Sequence, residues 1–255
     1  MRAVVTGASS GIGRALALHL ARSHGAAVIA VGRRGDLLES LAAEVASVVP
    51  VVGDVADLAT ARAVSAVLGD VEGDTLCLVN AAGVTGPIGP VGRVDLLQWR
   101  EALMTNLLGP VQMTEVLTRQ LESAAAGWII NVSSAQAVLP PAGVVAAYAT
   151  QKAALVHYTR CVAEQFAGSA VAAVAIHPGD VLTAMWDDIE SASRSLGAGG
   201  ASLADSVAGV RAGGGDSMDR VIELLDEILG SPPATTNGRF LFARGSGKSH
   251  LEPPP

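Results

Sequence analysis

Along the whole chain, short runs of Val, Ile, Leu and Ala alternate with longer amphipathic segments. Each short run is apolar at consecutive positions, which is typical of strands that are buried on both faces of a sheet. The predicted strands are residues 3–5, 28–31, 49–52, 76–79, 128–132, 171–176 and 239–242. The predicted helices are residues 13–24, 37–47, 58–68, 94–122, 146–167 and 217–229. This order requires parallel strands that are joined by helical crossovers.

The alternation predicts an α/β fold in three layers, a doubly wound parallel sheet (Rossmann fold) with helices on both faces. No linker or internal repeat interrupts it, so we expect one domain over residues 1–244. Residues 195–215, rich in Gly, Ala and Ser, are interpreted as a mobile loop with some helix, and residues 184–215 as a substrate lid. The last residues, 245–255, are expected to form a flexible tail. The helix over residues 94–122 is expected to bend near Gly109-Pro110, because proline disrupts a helix interior.

Composition and charge exclude several classes of protein. Half of the residues are apolar and 16% are charged, which excludes intrinsic disorder. The formal net charge is −7, and no basic run is longer than Arg33-Arg34, so no nucleic-acid partner is expected. No apolar stretch reaches the ~20 residues that span a bilayer, and no signal peptide is evident, so we expect a cytoplasmic protein without a membrane partner. Cys77 and Cys161 are interpreted as buried, reduced thiols.

The histidines do not predict a metal site. Five are present: His19, His24, His157, His177 and His250. Their positions show no ligand spacing, so a solvated or core role is expected for each, and no metal is predicted.

A glycine-rich segment joins the first predicted strand to the first predicted helix. It reads Thr6-Gly7-Ala8-Ser9-Ser10-Gly11-Ile12-Gly13. Glycines let the backbone approach a phosphate, and the helix N-terminus offers free N–H donors at a positive dipole end. At this place the segment predicts a dinucleotide site, with contacts from Gly7, Ser9, Ser10, Gly11, Ile12 and Gly13.

Tyr148 and Lys152 form a second motif, because side chains four positions apart share one face of a helix. A phenol normally titrates near ~10. A neighbouring ammonium and a positive nicotinamide would both favour the phenolate and lower the pKa of Tyr148. The pair therefore predicts a proton donor and acceptor near neutral pH. The other tyrosine, Tyr158, has no basic residue four positions on and is interpreted as a packing residue.

The glycine spacing differs from Gly-x-Gly-x-x-Gly and closely resembles that of the short-chain dehydrogenase/reductase family in its classical branch. The resemblance spans essentially the whole chain and implies further cofactor contacts. Besides Tyr148 and Lys152, these are Asp54, Val55, Asn80, Ala81, Gly83, Pro178, Gly179, Val181 and Thr183. The family usually has Asn-Asn-Ala-Gly where this chain has Asn80-Ala81-Ala82-Gly83, so Ala81 is a departure.

The resemblance also implies a catalytic set: Asn106, Ser134, Tyr148 and Lys152. In the family the catalytic serine is the second of a pair, usually thirteen residues before the tyrosine. Here Ser134 precedes Tyr148 by fourteen, which indicates one extra residue near Pro140-Pro141. Ser133 is then expected to brace the strand end.

Arg33 and Arg34 follow the second predicted strand, where an NAD site usually offers a carboxylate to the ribose. No Asp or Glu lies between Val28 and Gly35, and guanidinium groups suit a 2′-phosphate. The sequence therefore predicts NADP(H), with NAD(H) as the alternative. Arg33 is expected to matter more than Arg34, since it directly follows the strand.

Taken with the resemblance, these motifs predict an NADPH-dependent carbonyl reductase that acts on a small carbonyl or alcohol. Tyr148 would be the acid/base, Asn106 would anchor a proton-relay water, and Lys152 would bind the nicotinamide ribose. A 3-oxoacyl-thioester reductase, an NAD-dependent alcohol dehydrogenase and a non-catalytic NADPH sensor stay open as alternatives.

Residues 80–110 and 179–185 loosely resemble sepiapterin reductase and the bacterial benzil reductases within the family. Pterin is less expected than an apolar ketone or diketone, because residues 240–244 lack a clear counterpart of the acidic residue that pterin reducers use. The two long helices predict a homo-oligomer, a tetramer or dimer, because they carry more apolar residues than one sheet face can cover.

Overall fold

The structure, a computed structural model, describes residues 1–141 and 143–243. Within these residues seven parallel strands form one sheet in the order β3-β2-β1-β4-β5-β6-β7. The strands are β1 (Arg2–Thr6), β2 (Ala27–Gly32), β3 (Val48–Val52), β4 (Thr75–Asn80), β5 (Ala126–Val132), β6 (Val171–His177) and β7 (Phe240–Phe242). The predicted doubly wound α/β fold is confirmed. The strand order reverses between β1 and β4, and a crevice at such a switch point is where ligands bind in this fold.

Ten α-helices connect and cover the strands in the described part of the chain. They are α1 (Gly11–Ser23), α2 (Gly35–Glu44), α3 (Leu58–Leu68), α4 (Leu96–Leu103), α5 (Gly109–Ser123), α6 (Ala146–Gln165), α7 (Ala184–Ser195), α8 (Ala201–Ala212), α9 (Met218–Leu229) and α10 (Pro233–Thr236). None of these helices combines the length and apolarity needed to cross a bilayer.

The helices divide the core into two layers, one on each face of the sheet. On one face, Leu16 and Leu20 of α1 pack with Leu224 and Ile228 of α9. On the other face, α3, α5 and α6 pack a second cluster that includes Leu117 of α5. The sheet is thus covered on both sides, which explains why its strands are apolar at consecutive positions.

The long helix predicted over residues 94–122 has a different break from the expected one. It begins at Leu96, after Asp95 accepts a hydrogen bond from the Leu97 N–H at 2.7 Å. A π-helical turn, Met104–Leu108, then separates α4 from α5. Pro110 lies in the first turn of α5, where a missing N–H costs little, so the irregular turn precedes the proline.

Residues 195–215 are more helical than predicted. A single 3₁₀ turn, Gly197–Gly200, separates α7 from α8, and α8 occupies twelve residues. Leu203, Val207 and Val210 recur at helical spacing, and Val207 is fully buried. The glycine content of the segment concealed this periodicity in the sequence. The proposed tail, residues 245–255, lies outside the described residues.

The two cysteines differ in environment. Cys77 on β4 is buried, as expected, whereas Cys161 on α6 is exposed, which corrects the sequence interpretation. Tyr158 packs against the core beneath α5 and α6, as expected of a packing residue.

Helix α1 packs closely against the loop that precedes it, and this packing leads to a testable prediction. A Cβ atom on Gly13 would lie 2.5 Å from the carbonyl oxygen of Gly7. Gly13→Ala should therefore cost about 1–3 kcal/mol of unfolding free energy, and thermal denaturation should show a Tm lower by roughly 2–10 °C.

Gly209→Ala is the matched control for this prediction. Gly209 lies inside α8, where an added Cβ has no neighbour within 4 Å. This variant should keep or raise the Tm, because alanine favours a helix interior over glycine. Equal Tm values for the two variants would contradict the prediction.

Candidate active site

A cleft of about 1170 Å³ opens at the carboxyl ends of the parallel strands. Among the sequence-predicted site residues, those that line it are Gly7, Ser9, Ser10, Gly11, Ile12, Gly13, Arg33, Arg34, Asp54, Val55, Ala81, Gly83, Ser134, Tyr148, Lys152, Pro178, Gly179, Val181 and Thr183. Asn80 and Asn106 are buried behind its wall. Loops that are far apart in sequence therefore meet at one edge of the sheet and form the cleft.

The glycine-rich loop after β1 is packed closely against the loop after β4. Gly7 and Gly11 have φ values of 68° and 53°, in the left-handed region that favours glycine. A Cβ on Gly7 would lie 2.8 Å from the backbone of Ala82, so only glycine fits there. α1 then starts at the cleft, and its Ser10 N-cap makes no side-chain capping bond to the first turn. The first-turn N–H groups and the positive end of the helix form a site for an anion.

Thr6 holds these two loops together, a role that the sequence reading missed. Its Oγ1 accepts hydrogen bonds from the N–H groups of Ala81 and Ala82, each at 3.1 Å. Ala81 thus contributes its backbone N–H group, which any residue other than proline would also provide at this position. The sequence signal for this role was a threonine at the end of a strand, directly before a glycine-rich loop.

Asn80 belongs to a row of buried polar groups behind the cleft. Its Nδ2 donates to Oδ1 of Asn131 at 2.9 Å, and Asn131 Nδ2 donates to Thr159 Oγ1 at 2.9 Å. These bonds tie β4, β5 and α6 together. The side chain of Asn80 supports the cleft wall, and the structure does not bring it to the cleft surface.

The two arginines lie at one end of the cleft. Arg34 donates from Nη2 to Ser9 Oγ at 2.9 Å and to Ser10 Oγ at 2.5 Å. Arg33 is 68% exposed, and its Nη1 lies 3.6 Å from Oδ2 of Asp54. Both guanidinium groups therefore line the cleft: Arg34 is fixed by two serines of the glycine-rich loop, and Arg33 is loosely paired with Asp54.

Tyr148 and Lys152 share one face of α6, as the spacing predicts. Lys152 Nζ lies 5.6 Å from the centroid of the Tyr148 ring and donates to the carbonyl oxygen of Val132 at 2.8 Å. Its ammonium is buried, and burial lowers the pKa of Lys152 to about 8. The side chain is therefore mostly protonated at neutral pH and loses its charge just above it.

The two serines at the end of β5 have different environments. Ser133 is buried, and its Oγ donates to the carbonyl oxygen of Lys152 at 3.0 Å. Ser134 is half-buried at the cleft and hydrogen-bonds the side chain of Tyr148. Its Oγ also accepts from the N–H of Gln136 at 3.3 Å. Ser133 thus braces α6 against β5, while Ser134 is the hydroxyl beside the phenol.

The protonation of Tyr148 differs from the sequence expectation. Burial raises the pKa of Tyr148 to about 12; the hydrogen bond from Ser134 lowers it in part, and the Asp180 carboxylate raises it further. Burial outweighs the other effects because it disfavours the charged phenolate, and the shift has no contribution from Lys152. A phenol with a pKa this high holds its proton at neutral pH and is able to donate it.

Asn106 lies in the π-helical turn and clamps the loop after β4. Its Oδ1 accepts from the Val84 N–H and its Nδ2 donates to the Val84 carbonyl, both at 2.8 Å. Nδ2 also donates to Oε1 of Gln151 at 2.7 Å, a residue of α6 that the sequence reading missed. A Cβ on Gly83 would lie 3.3 Å from Asn106 Oδ1 and 3.6 Å from Lys152 Nζ. The side chain of Asn106 therefore positions the segment beside the Lys152 ammonium.

The turn after β6 is held by Asp216, which the sequence reading also missed. Asp216 Oδ2 accepts from the Asp180 N–H at 2.7 Å, and its Oδ1 pairs with Arg220 at 3.0 Å. Gly179 has a φ of 86°, and a Cβ there would lie 2.6 Å from the Asp216 carboxylate. The tight turn places Asp180 and the residues that follow it along the cleft.

The far half of the cleft is mainly apolar. Its apolar lining includes Leu139, Val144, Met185, Trp186, Ile189, Leu203 and Val210. Asp180 and Asp188 add two carboxylates. Among the described lining residues, Arg33, Arg34 and Lys152 are the Lys and Arg side chains, so none lies on this side. The site combines a proton donor and an apolar chamber with an anion-binding loop.

Comparison with known proteins agrees with this geometry. The sequence profile of the short chain dehydrogenase family matches residues 1–194. The 3-oxoacyl-[acyl-carrier-protein] reductase FabG of Pseudomonas aeruginosa is 33% identical over 75% of this chain and 78% of that protein. The short chain dehydrogenase tazN of Aspergillus terreus is 37% identical over 69% of this chain, and the matched part spans only 40% of that protein.

A solved structure extends the similarity over nearly the whole chain. The NADPH-bound carbonyl reductase from chicken fatty liver aligns with a TM-score of 0.76 at 26% identity, over 96% of this chain and 97% of that one. The profile match covers well over half of the sequence, and the bacterial relative is similar over most of its own length. The chain therefore belongs to the short-chain dehydrogenase family and is an oxidoreductase acting on CH–OH or C=O groups.

Proposed function

We propose that this protein is an NADPH-dependent carbonyl reductase that converts an apolar ketone or diketone to the alcohol. The observation that carries the proposal is the position of Tyr148 on the cleft wall, beside Ser134 and with Lys152 Nζ 5.6 Å from its ring centroid. A phenol that holds its proton at neutral pH is suited to give it to a carbonyl oxygen.

The residues around the glycine-rich loop fit a nicotinamide dinucleotide. The missing side chains of Gly7 and Gly13 let the loop pack closely on Ala82 and on the start of α1. The N–H groups of the first turn of α1 are then available to a pyrophosphate. Asp54 and Val55 would contact the adenine, and Val181 and Thr183 would contact the carboxamide. When bound, the cofactor supplies the hydride.

The chain's own residues then supply position and a proton. Tyr148 donates its proton to the substrate oxygen, while Ser134 donates a hydrogen bond to the same oxygen. The Lys152 ammonium stabilises the negative charge that develops on the phenol. Asn106 acts through the backbone of Val84, so we class it as a positioning residue for the loop beside Lys152. We also keep the proposal that Asn106 anchors a water that relays protons.

The charges of the cleft narrow the substrate class. Asp180 and Asp188 line the cleft together with apolar side chains, and Asp180 is close enough to Tyr148 to raise its pKa. A substrate with a carboxylate or phosphate near its carbonyl would be repelled by these two side chains. Neutral apolar carbonyl compounds fit this environment, which also supports the loose resemblance to diketone reductases.

A 3-oxoacyl-thioester reductase is the second candidate. It is favoured by the 33% identity to the FabG protein of Pseudomonas aeruginosa. The apolar lining of the cleft and the carboxylates of Asp180 and Asp188 favour a small neutral carbonyl compound over it.

We further propose a homo-oligomer and a substrate lid over residues 184–215. The helix α4 exposes Leu96 and Leu97, which self-association would cover. The segments α7 and α8 contribute Trp186 and Leu203 to the cleft, so a movement of this pair would open or close the substrate side.

A carbonyl panel tests the proposed reaction. NADPH absorbance should fall with an apolar ketone or α-diketone, and more slowly with a 3-oxoacyl thioester. Tyr148→Phe should lower kcat by roughly 10²–10⁴-fold, because it removes the proton donor, while fluorescence titration shows NADPH binding largely intact. NADPH binding without turnover of any carbonyl would instead support a sensor, and a preference for the thioester would support the second candidate.

The two serines provide a matched pair of variants. Ser134→Ala should lower kcat about a hundredfold, because it removes a donor to the substrate oxygen. Ser133→Ala should lower kcat less than about tenfold and instead cost about 1 kcal/mol of stability, through loss of a buried hydrogen bond. Steady-state rates and thermal denaturation measure both effects, and the reverse ranking of rates would move the catalytic role to Ser133.

The pKa of Tyr148 is raised and that of Lys152 is lowered, and these shifts predict how the rate of reduction depends on pH. Since the pKa of Lys152 is about 8, kcat/KM for reduction should be flat below pH 8 and fall at higher pH as the ammonium is lost. The reverse oxidation needs the phenolate and should rise with pH. Lys152→Arg keeps the charge and should move the fall to higher pH, whereas Tyr158→Phe should leave the profile unchanged. A reduction rate that increases above pH 8 would contradict this assignment.

Cofactor choice is predicted from the two arginines. One charge-assisted contact to a 2′-phosphate contributes about 1.5–3 kcal/mol, so NADPH should bind roughly ten- to a hundredfold more tightly than NADH. Replacing both Arg33 and Arg34 by Ala should remove the preference and hardly change turnover with NADH. Arg33 should matter more, because its guanidinium is exposed and only loosely paired, while Arg34 already bonds two serines.

Arg22→Ala is the control for the arginine variants. Arg22 lies at the far end of α1 and pairs with Glu44, so its loss removes one positive charge, as each single arginine replacement does, without touching the cleft. Its cofactor preference should match that of the unchanged protein. Equal affinities of the unchanged protein for NADPH and NADH would mean that the arginines are surface residues and that NAD is the cofactor.

A further inference from the structure

Two histidines and one aspartate converge where the end of α1 meets α9. Nε2 of His19 and Nε2 of His24 each lie 2.7 Å from the same oxygen, Oδ1 of Asp226. One ligand atom from each residue lies within 4.8 Å of the other two. His19 is in the last turns of α1, His24 is its C-cap, and Asp226 projects from α9.

We propose that His19, His24 and Asp226 form a binding site for a divalent transition metal, with Zn²⁺ as the fitting ion. Two imidazoles and a carboxylate are a donor set that suits zinc and disfavours Mg²⁺ and Ca²⁺, which prefer oxygen ligands. Three protein ligands leave a fourth position for water in a tetrahedral site.

The present contacts are hydrogen bonds that the metal would replace. Zinc bonds of 2.0–2.1 Å at tetrahedral angles hold ligand atoms about 3.3 Å apart. The nitrogens would therefore move away from Asp226 Oδ1 by about 0.6 Å, starting from the 2.7 Å contacts, and take positions about 3.3 Å from each other within the present limit of 4.8 Å. Rotations of partly exposed side chains supply such a movement without a shift of the helices.

Ser23 supports the required tautomer of His19. Its Oγ lies 3.2 Å from Nδ1 of His19. A hydroxyl both donates and accepts, so Ser23 donates to Nδ1 while Nε2 carries the proton, and accepts from Nδ1 once Nε2 binds a metal. Partners of this kind orient metal-ligating histidines.

The charge around the cluster also favours a cation. The C-terminal end of a helix carries a partial negative charge, and both histidines lie at that end of α1. The neighbouring cation, Arg22, pairs with Glu44 at 3.3 Å. The burial of α1 against α9 already brings the two helices together, so the ligands are pre-positioned.

The site is remote from the cleft. Gly11 starts α1 at the cleft and His24 ends it, a span of about 20 Å at 1.5 Å per residue. A metal at the far end therefore would not touch the reacting atoms. Its effect is to fasten α9 to α1.

The sequence reading predicted no metal because it searched for local ligand spacing. His19 and His24 are five positions apart, and the third ligand comes from the distant helix α9. Our proposal departs from that prediction for these two histidines, because the fold brings them together with Asp226.

Zinc binding by the full chain tests the proposal. Titration calorimetry with ZnSO₄ at neutral pH should give one equivalent, and Mg²⁺ should not compete. At a hundredfold excess over Kd, Zn²⁺ should raise the Tm by roughly 5–10 °C, while carbonyl reduction is unchanged. Co²⁺ should give visible absorption bands typical of a four-coordinate site.

Variants locate the site. His24→Gln and Asp226→Asn retain hydrogen-bonding groups, so the fold is kept, but each should weaken Zn²⁺ binding at least tenfold, and Ser23→Ala about tenfold. A control with His157→Gln and His250→Gln together should bind Zn²⁺ as the unchanged protein does; His250 lies outside the described residues. No stoichiometric binding, or equal binding by Asp226→Asn and the control, would overturn the proposal.

Discussion

The loops at the carboxyl edge of the sheet depend on one contact, which joins the loop after β1 to the loop after β4. Thr6 joins the two loops by two hydrogen bonds, and the backbone of Gly7 lies so close to Ala82 that a side chain cannot be placed between them. The contact sits where the strand order reverses, which is also where this fold opens a crevice. It exposes the start of α1 on one side, and on the other side it leads to Gly83 beside Lys152. Anion binding and proton chemistry thus depend on the same backbone packing.

Burial sets the chemistry of the second half of the site. It raises the pKa of Tyr148 and lowers that of Lys152, because it disfavours the charged form of each. The partner of Lys152 Nζ is a carbonyl oxygen of β5, which satisfies one N–H without supplying a negative charge. A developing phenolate on Tyr148 would supply that charge, so the two groups stabilise each other most when the proton has left the phenol. The arrangement favours proton donation without requiring an ionised tyrosine at rest.

Much of this could be predicted from local patterns. The strand–helix alternation determined the fold class, and the four-residue spacing placed Tyr148 and Lys152 on one face of α6. Local patterns failed where the deciding partner is distant in sequence. The pKa direction of Tyr148 depends on burial by the whole cleft, and the roles of Thr6 and Asp216 depend on loops that the fold brings to them. The extent of helix α8 was underestimated for another reason, since the glycine content of the segment hid a regular apolar spacing.

Helix α1 shows how one element serves two opposite electrostatic tasks. Its N-terminal end faces the cleft, where unsatisfied N–H groups and a positive dipole end attract a phosphate. Its C-terminal end carries His19 and His24, where the negative dipole end and Asp226 favour a cation. Leu16 and Leu20 on the same helix are buried against the sheet and α9, which fixes the helix between the two ends. A metal at the far end would therefore act on the packing of α1 and α9, while the sheet holds the N-terminal end in place for the cofactor.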